Sequence, residues 1–192
     1  MTMTMDKPAK IAMNGVDVPT LTATLGVVNQ QRELAKFTFR ADGKWLSGTH
    51  SQTTFSGFHG AGGEQQHDAP QTVDGDHPAV LCGKDNGPTP VELLLAGLSA
   101  CITAGIGNIA AMRQIQLESV ETIIEGDIDL QGIFGMNDSV RNGFEGIRAT
   151  FMVKGDAPKE DLEKIVKQSI DRSAVFDVLT NGVPVQVAAV CG

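Results

Sequence analysis

The longest apolar stripe in the chain predicts a helix that begins at Thr89 and Pro90. Six residues recur along it at steps of four or three: Leu94, Leu98, Cys101, Gly105, Asn108 and Met112. This spacing places their side chains on one helical face. Thr89 is suited to cap the helix, Pro90 needs no amide donor at the first position, and Glu92 completes a capping box. We therefore expect a long helix that carries Cys101 near its middle.

Shorter apolar stripes predict three more helical segments. Residues 17–32 form the first, with Asp17 as its candidate cap. Its apolar face is Leu21, Leu25 and Val28. Pro158 opens the second helix. Its stripe consists of Leu162, Ile165, Val166, Ser169 and, further on, Ser173. Residues 174–179 predict a further helical turn, which ends at the Asn181-Gly182 pair.

Alternation of apolar and polar residues predicts a β-hairpin and a long loop in the first half of the chain. Residues 36–40 alternate with period two, and a second run ends at Phe55. The pair Asp42-Gly43 between them is typical of hairpin turns. Residues 56–88 are rich in Gly, His, Asp, Gln and Pro, so we expect a long surface excursion with one short strand at residues 79–81.

Three further strands are predicted in the second half of the chain. The first has its apolar or threonine side chains at even positions and acidic ones at odd positions. Its inner face is Val120, Thr122, Ile124, Ile128 and Leu130. The second, an antiparallel neighbour of opposite parity, contains Ile147, Ala149, Phe151 and Val153. The last contains Val183, Val185 and Val187. Together the elements predict an α+β fold, in which helices cover a sheet.

The whole chain, residues 1–192, is interpreted as a single domain. Its hydrophobic content of 41% is sufficient for one sizeable core. Residues 1–35 are expected to form an N-terminal helical extension, and residues 36–88 the hairpin and long loop. Residues 89–192 then form a core with the order helix, strand, strand, helix, strand.

Charge and composition exclude several classes of partner. A formal net charge of -8 argues against a protein that binds DNA or RNA, because such binding needs clustered Lys and Arg. The chain has no uninterrupted apolar run of about 18 residues, and its N-terminus lacks the apolar core of a secretory signal. We therefore expect a cytoplasmic protein that binds neither nucleic acid nor a membrane.

Cysteine and histidine positions favour free thiols over a metal site. In the cytoplasm, Cys82, Cys101 and Cys191 are more typical of thiols or redox centres than of a disulfide framework. Their spacings match no zinc pattern, and the four histidines fall in a Gly-rich region where solvated loop residues are expected. We predict no metal and no cofactor. Cys101 itself has two interpretations, a buried structural thiol or a reactive thiol reached past small neighbouring residues, and spacing leaves both open.

Three stretches of the chain carry a family likeness. The most specific is residues 86–101, with the sequence Asn-Gly-Pro-Thr-Pro-Val-Glu-Leu-Leu-Leu-Ala-Gly-Leu-Ser-Ala-Cys. The likeness continues through Trp-Leu-Ser-Gly-Thr-His at residues 45–50 and through residues 172–185, and it covers roughly residues 37–190. These stretches resemble the OsmC/Ohr family, the osmotically inducible and organic hydroperoxide resistance proteins.

The resemblance implies an intertwined homodimer in which antiparallel sheets wrap around long central helices. It also implies a part in the oxidative stress response, through thiol-dependent reduction of organic hydroperoxides at the dimer interface. In that chemistry a cysteine becomes a sulfenic acid, is resolved by a second cysteine and is recycled by dithiols such as lipoyl groups. Cys101 matches the first cysteine of the family. Arg40, in the N-terminal strand region, is the candidate for the activating arginine.

The chain departs from the family pattern at two positions. Ser173 stands where the resolving cysteine is expected, and a hydroxyl cannot form a disulfide. Val91 stands where the peroxidases of the family carry a carboxylate. Glu92 lies one residue later, about 100° around a helix, and its capping role explains it without catalysis. Cys82 and Cys191 are alternative resolving thiols, although neither position matches the family.

We therefore expect an atypical thiol-dependent redox protein, in which Cys101 reduces a small organic hydroperoxide and an external dithiol regenerates the thiol. The first chemical step needs only the thiolate, so loss of the second cysteine removes the recycling route rather than the attack. The alternative is a non-enzymatic OsmC-like homodimer that binds an apolar or thiol-reactive small molecule at its interface. A third interpretation is a structural domain with an inert thiol.

Overall fold

The computed structural model of the protein describes residues 11–192. Its helices are α1 (Val18–Gln30), α2 (Pro90–Met112), α3 (Leu130–Ile133), α4 (Lys159–Asp171) and α5 (Ala174–Asn181). Its strands are β1 (Thr38–Phe39), β2 (Asp42–Ser47), β3 (His50–Gly60), β4 (Gly63–Gly75), β5 (Leu117–Asp127) and β6 (Gly146–Gly155). Short 3₁₀ turns lie at Arg32–Ala35 and Ala79–Leu81. The predicted class, α+β with antiparallel sheets, is confirmed.

The chain divides into two compact units. Residues 17–96 form one unit. Residues 97–192 form the other, together with residues 11–16. The prediction of a single domain over residues 1–192 stays a prediction, and its N-terminal extension falls partly outside the described residues.

Strand β3 is the centre of the four-stranded antiparallel sheet in residues 17–96. It pairs with β4 along one edge, and with β1 and then β2 along the other. The predicted turn at Asp42-Gly43 is wrong, because both residues lie in β2 and pair with β3. The chain instead reverses at Gly48 and Thr49. Gly48 has a φ of 56°, a left-handed conformation that glycine adopts without strain.

The predicted long loop over residues 56–88 is also wrong for much of its length. The end of β3 and the whole of β4 occupy it, with Thr53 opposite Val73 and His59 opposite Glu64. Most side chains of β4 are exposed, so polar residues occupy both of its faces and leave no period-two pattern. The predicted strand at residues 79–81 is a 3₁₀ turn.

The segment between β4 and α2 is held by the buried carboxylate of Asp76. This carboxylate accepts hydrogen bonds from the Thr49 hydroxyl at 2.5 Å and from the His77 backbone N–H at 2.8 Å. Asn86 donates to it twice, from its backbone at 3.1 Å and from its side-chain amide at 2.7 Å. The hydrogen bond from Thr49 has the largest effect, and together these bonds lower the pKa of Asp76 far below its ordinary value. Asp76 thus holds in place the segment that leads to Thr89.

Helix α2 begins as predicted and runs to Met112. The backbone N–H and the hydroxyl of Thr89 donate to Glu92 Oε2 at 2.7 and 2.9 Å. The Glu92 N–H donates back to Thr89 Oγ1 at 3.4 Å. This reciprocal pair is the predicted capping box. The bond from the Thr89 backbone, more than any other, lowers the pKa of Glu92.

The core of the unit formed by residues 97–192 lies between α2, α4 and the antiparallel hairpin of β5 and β6. Its buried members are Leu98, Ile102, Ile106, Ala110 and Ile165. Residues Val120 and Ile124 of β5 pack against this cluster, as their even positions predict. The predicted α2 stripe is correct only in part. The side of α2 that faces the core contains Leu98 and Ile102, and Cys101 lies at the edge of that side.

Helices α4 and α5 lie where the sequence predicts them, except that α4 ends at Asp171 and does not extend to Ser173. Pro158 precedes α4, and Ile165 and Ser169 are its buried residues. Gly182, with a φ of 66°, ends α5. The predicted final strand is wrong, because residues 182–192 contain no strand. Strand β5 also ends before residue 128, and Asp129 caps the short helix α3 instead.

Helix α1 begins at the predicted cap, where the Asp17 carboxylate accepts from the Thr20 N–H at 3.0 Å. Its predicted apolar face, Leu21, Leu25 and Val28, is not buried within the described residues. Val18 is the buried residue of this helix. The predicted stripe therefore marks the helix but not its buried residue.

Helix α2 is long and apolar enough to cross a membrane, contrary to the expectation from the sequence. It has 23 residues, its most apolar window has a mean hydropathy of 1.8, and 22% of that window is buried within the chain. Interspersed Gly and Ser residues interrupt the apolar run without adding charge. One face of the helix supplies Leu98, Ile102 and Ile106 to the core. Since a core helix also meets the length and hydropathy criteria, these criteria alone do not indicate a membrane span.

Candidate functional site

The candidate site is centred on Cys101, which lies in the middle of α2 and is partly buried. The Ser173 hydroxyl donates a hydrogen bond to Cys101 Sγ, with 3.1 Å between the two atoms. Ser173 is 4% exposed and directly precedes α5. The structure therefore brings together the two residues that the sequence analysis paired as nucleophile and substituted resolving position.

Ser173 is also the N-cap of α5. Its Oγ accepts a hydrogen bond from the Phe176 backbone N–H at 3.1 Å, which satisfies one of the free donors of the first helical turn. The N–H groups of Ala174 and Val175, the first residues of the helix, act on the Cys101 sulfur. The thiol thus lies at the positive end of a helix, where negative charge is stabilised.

These surroundings favour the thiolate form of Cys101. Burial is the largest influence and would raise the pKa of the thiol. The hydrogen bond from Ser173 and the backbone N–H groups of Val175 and Ala174 oppose it, and together they lower the pKa below its ordinary value. The site therefore stabilises a thiolate with a hydroxyl and main-chain amides.

Close packing of α2 against α4 brings Ser173 to the thiol. The Ser169 hydroxyl donates to the Ile102 carbonyl at 2.7 Å, which joins the two helices directly after Cys101. A Cβ atom at Gly105 would overlap the Ser169 side chain. The absence of a side chain at Gly105 thus permits the close approach of α4. The short connection after α4 then leads directly to Ser173.

Arg40, the candidate activating arginine, forms an ion pair within its own sheet. Its guanidinium donates to both carboxylate oxygens of Glu64, at 2.6 and 3.1 Å. The hydrogen bond from Arg40 has the largest effect on the Glu64 carboxylate. Together with His59, it lowers the pKa of Glu64 to about 2. The ion pair of Arg40 lies within the unit formed by residues 17–96. Its role as an activator stays a prediction.

The other candidate thiols and the carboxylate near the helix start have separate environments. Cys82 and Cys191 are free and exposed. Cys82 has a φ of 64° at the end of a 3₁₀ turn. The Glu92 carboxylate is engaged in the capping box with Thr89. Whether Cys82 or Cys191 reacts with an oxidised Cys101 stays a prediction.

Two of the four histidines pair with carboxylates. His50 Nε2 lies 2.8 Å from Asp74 Oδ1, and His59 Nδ1 lies 3.2 Å from Glu64 Oε1. Within the part of the chain that the structure describes, no group of three or more His, Cys, Asp and Glu residues is arranged to hold a metal ion.

A groove of about 830 Å³ lies between β6 and α4, in the unit formed by residues 97–192. Its apolar lining includes Phe151, Val153, Leu162, Val166 and Ile170. Lys154, Lys159, Lys167, Glu118, Glu163 and Asp171 provide charged groups along it. Cys101 is not part of the lining. The groove is therefore a separate feature from the thiol site.

The amide donors at the start of α5 were missed by sequence reasoning. The signal was present, because Ser173 precedes the predicted helical turn at residues 174–179 and serine is a favoured N-cap. The spacing assigned Ser173 to the stripe of the preceding helix instead. Only the structure reveals that the preceding helix ends at Asp171, so that Ser173 lies outside it and caps α5.

Comparison with known proteins supports the same fold. The family model for OsmC-like protein matches residues 83–188, which is more than half of the chain. An OsmC-like protein from Mycoplasma pneumoniae is similar in structure, with a TM-score of 0.57 and 13% identity over 75% of this chain and 88% of that one.

Two further solved structures are similar at low identity. The organic hydroperoxide resistance protein OsmC from Legionella pneumophila has a TM-score of 0.52 and 18% identity, over 76% of this chain and 90% of its own. An OsmC-like protein of unknown function from Vibrio cholerae has a TM-score of 0.52 and 15% identity, over 73% and 92%. No curated protein sequence matches the chain significantly. At these identities the structural matches support the fold alone.

Proposed function

The chain belongs to the OsmC-like protein family, and we propose that it is an atypical thiol-dependent redox protein that reduces small organic hydroperoxides through Cys101. The observation that carries this proposal is the position of Cys101 Sγ beside the Ser173 hydroxyl and the first amides of α5. Such donors favour the thiolate, which is the nucleophilic form. The name of the Legionella relative, an organic hydroperoxide resistance protein, supports the same class of reaction.

In the first step, the Cys101 thiolate attacks one oxygen of the hydroperoxide and the O–O bond breaks. A new S–O bond forms, so sulfur is oxidised to a sulfenic acid while the peroxide is reduced to an alcohol. The sulfenic acid retains the peroxide hydroxyl, and the departing alkoxide takes a proton from solvent. Two electrons pass from sulfur to the peroxide.

An external dithiol completes the proposed cycle, because Ser173 has no sulfur with which to form a disulfide. The first thiol of the reductant condenses with the Cys101 sulfenic acid, which forms a mixed disulfide and releases water. Its second thiol then attacks the sulfur of the same reductant, which frees Cys101 and leaves the reductant as an internal disulfide. The net reaction converts one hydroperoxide and one dithiol into an alcohol, water and a disulfide.

We test this function with a pair of variants that separate Cys101 from the other thiols. The matched control is the double variant Cys82→Ser/Cys191→Ser, which retains Cys101 alone. It should consume cumene or tert-butyl hydroperoxide in the presence of dihydrolipoamide or dithiothreitol, at the rate of the parent protein. Adding Cys101→Ser to this background should abolish the consumption. Equal turnover with and without Cys101 would rule out the proposal.

We propose that the protein acts as an intertwined homodimer in the cytoplasm. Apolar exposure in the single chain supports an additional contact surface, since only 22% of the most apolar window of α2 is buried. Ile123 and Met152, on β5 and β6, are 56% and 40% exposed. A second copy of the chain that covers these apolar residues accounts for their exposure in one chain.

The second candidate function is non-enzymatic binding of an apolar small molecule. The groove of about 830 Å³ between β6 and α4 favours it, because the groove combines an apolar lining with charged groups. The family resemblance implies a ligand at a dimer interface, whereas this observation favours a ligand in the groove of a single chain. Native mass spectrometry of protein purified without additives should then reveal a co-purifying small molecule. Ligand-free protein that turns over hydroperoxide would favour the redox function instead.

A further inference from the structure

The hydroxyl of Ser173 has two partners, and together they define its direction. Its oxygen accepts from the Phe176 N–H, and its hydrogen is donated to Cys101 Sγ, with both heavy-atom distances 3.1 Å. A serine hydroxyl carries one donor hydrogen and two acceptor lone pairs. The Phe176 bond occupies an acceptor position, and the one hydrogen points towards sulfur. With Ser173 4% exposed, water has little access to compete for either bond.

We propose that Ser173 is a positioning residue that holds the Cys101 thiolate against the N-terminal amides of α5, so that the residue at the expected resolving position serves the first chemical step instead. The inference rests on the proposed function, in which the Cys101 thiolate is the nucleophile. Ser173 acts in two ways. It donates a hydrogen bond to sulfur, and as N-cap it keeps the Ala174 and Val175 amides in helical position.

Charged side chains of the surrounding elements do not explain the stabilised thiolate. Helix α2 carries no Asp, Glu, Lys or Arg between Leu93 and Met112. At the end of α4, Asp171 pairs with Lys167. Asp177 of α5 accepts a hydrogen bond from Asn181, and neither Asp177 nor Arg172 is among the groups that shift the pKa of Cys101. The hydroxyl and the amides are therefore the donors that stabilise a negative sulfur.

A charge on sulfur also strengthens the Ser173 bond, because a hydrogen bond to an ionised acceptor is stronger than one to a neutral acceptor. A thiol at Cys101 gains less from the same hydroxyl. The arrangement therefore discriminates between the protonation states of Cys101. A cysteine at position 173 would add a resolving thiol but would replace this oxygen donor by a weaker S–H donor.

The test measures the Cys101 thiolate directly, without peroxide. In the Cys82→Ser/Cys191→Ser background, the rate of alkylation by iodoacetamide is followed from acid to alkaline pH, and its midpoint reports thiolate formation. Ser173→Ala removes donor and cap, while Ser173→Asp keeps a favoured cap but replaces the donor by a negative charge. Both should raise the midpoint and slow alkylation about tenfold at neutral pH. Ser173→Thr, which retains the hydroxyl, should restore the parent profile.

Ser99→Ala is the matched control, because it removes a partly buried hydroxyl of α2 that bonds to Thr122 of β5 without touching sulfur. It should lower the thermal midpoint but leave the alkylation profile in place. Circular dichroism checks that Ser173→Asp retains its helices. Profiles of Ser173→Ala and Ser173→Asp that superimpose on the parent would overturn the inference, as would an equal shift in Ser99→Ala.

Peroxide turnover, measured on the same proteins, separates this inference from the proposed function. A shifted alkylation profile supports the role of Ser173 whether or not the parent consumes hydroperoxide. Absence of turnover in the parent contradicts the proposed function alone. Unchanged alkylation in the Ser173 variants contradicts the role of Ser173 alone, even where the parent is an active peroxidase.

Discussion

The Cys101 sulfur lies 3.1 Å from the Ser173 hydroxyl, at the position where the family likeness leads one to expect a second thiol. Replacement of the Ser173 oxygen by sulfur would therefore turn this site into a pair of cysteines. Sulfur in place of that oxygen permits an internal disulfide, whereas oxygen offers a stronger hydrogen bond to a thiolate. The identity of residue 173 thus affects both the recycling route and the nucleophile.

The first prediction, at the scale of this residue, is that Ser173→Cys creates a resolving thiol. Because the present atoms are 3.1 Å apart and an S–S bond is about 2 Å long, only a small shift is needed to join them. In the Cys82→Ser/Cys191→Ser background, a stoichiometric dose of hydroperoxide should leave an intramolecular disulfide, detected by mass spectrometry as the loss of two hydrogens. The same background with Ser173 should accumulate sulfenic acid, trapped by dimedone. Persistent sulfenic acid in Ser173→Cys would contradict the prediction.

At the scale of elements, the contact between α2 and α4 brings the start of α5 to the thiol. Gly105 permits this contact, and Ser169 joins the helices through the Ile102 carbonyl. The N-terminal amides of α5 then reach the sulfur after a short turn. Local propensity alone does not create such a contact, because it requires three helices to meet at fixed distances.

The second prediction is that Gly105→Ala loosens this contact. Its Cβ would overlap Ser169, so either the helices separate or Ser169 rotates and loses its bond to Ile102. We expect a loss of about 1–3 kcal/mol in the free energy of unfolding, measured by urea denaturation. Gly107→Ala is the control, because nothing lies within 4 Å of the added atom. In α2 it should be neutral or stabilising by up to about 1 kcal/mol, and equal destabilisation of the two variants would contradict the prediction.

The third prediction concerns the segment that precedes α2. Asp76 has a lowered pKa in the folded protein, so it contributes stability that is present above its unfolded pKa of about 4. This contribution is lost as the pH falls from there through the lower folded pKa. Asp76→Asn should reduce the urea midpoint at neutral pH and flatten its decline on acidification.

The control for Asp76 is Asp85→Asn, an exposed carboxylate in the same segment. It should leave the urea midpoint and its pH dependence close to those of the parent. Thr49→Val provides a second check, because the Thr49 hydroxyl makes the largest contribution to the lowered pKa of Asp76. If the urea midpoints of Asp76→Asn and the parent declined in parallel on acidification, the stabilising role of the Asp76 carboxylate would be contradicted.

At the scale of the whole molecule, the apolar exposure of one chain favours assembly. Helix α2 is apolar along its length, yet its core contacts involve one side. The fourth prediction is therefore a dimer in solution. Light scattering coupled to size-exclusion chromatography should give twice the mass of the chain over a wide range of concentration. A monomer at high concentration would contradict the proposed assembly.

Much of the second half of the chain was predictable because its signals are local and strong. The capping box of Thr89 and Glu92, the parity of Val120 and Ile124, and the Gly182 stop all appear in the structure as the patterns indicate. In the first half, β4 was not predictable. Its polar residues lie on both faces of an exposed strand, so register with β3 rather than periodicity defines it.

The sequence by itself determined the α+β class, the long helix around Cys101 and the likeness that identifies its family, because capping, periodicity and a contiguous motif are encoded by neighbouring residues. It also revealed the serine at position 173. Only the tertiary structure decided what that serine does, since Cys101 and Ser173 are 72 positions apart and their contact depends on the packing of α2 against α4. No local pattern records this contact. It makes Ser173, at the position of the missing thiol, a hydrogen-bond donor to Cys101.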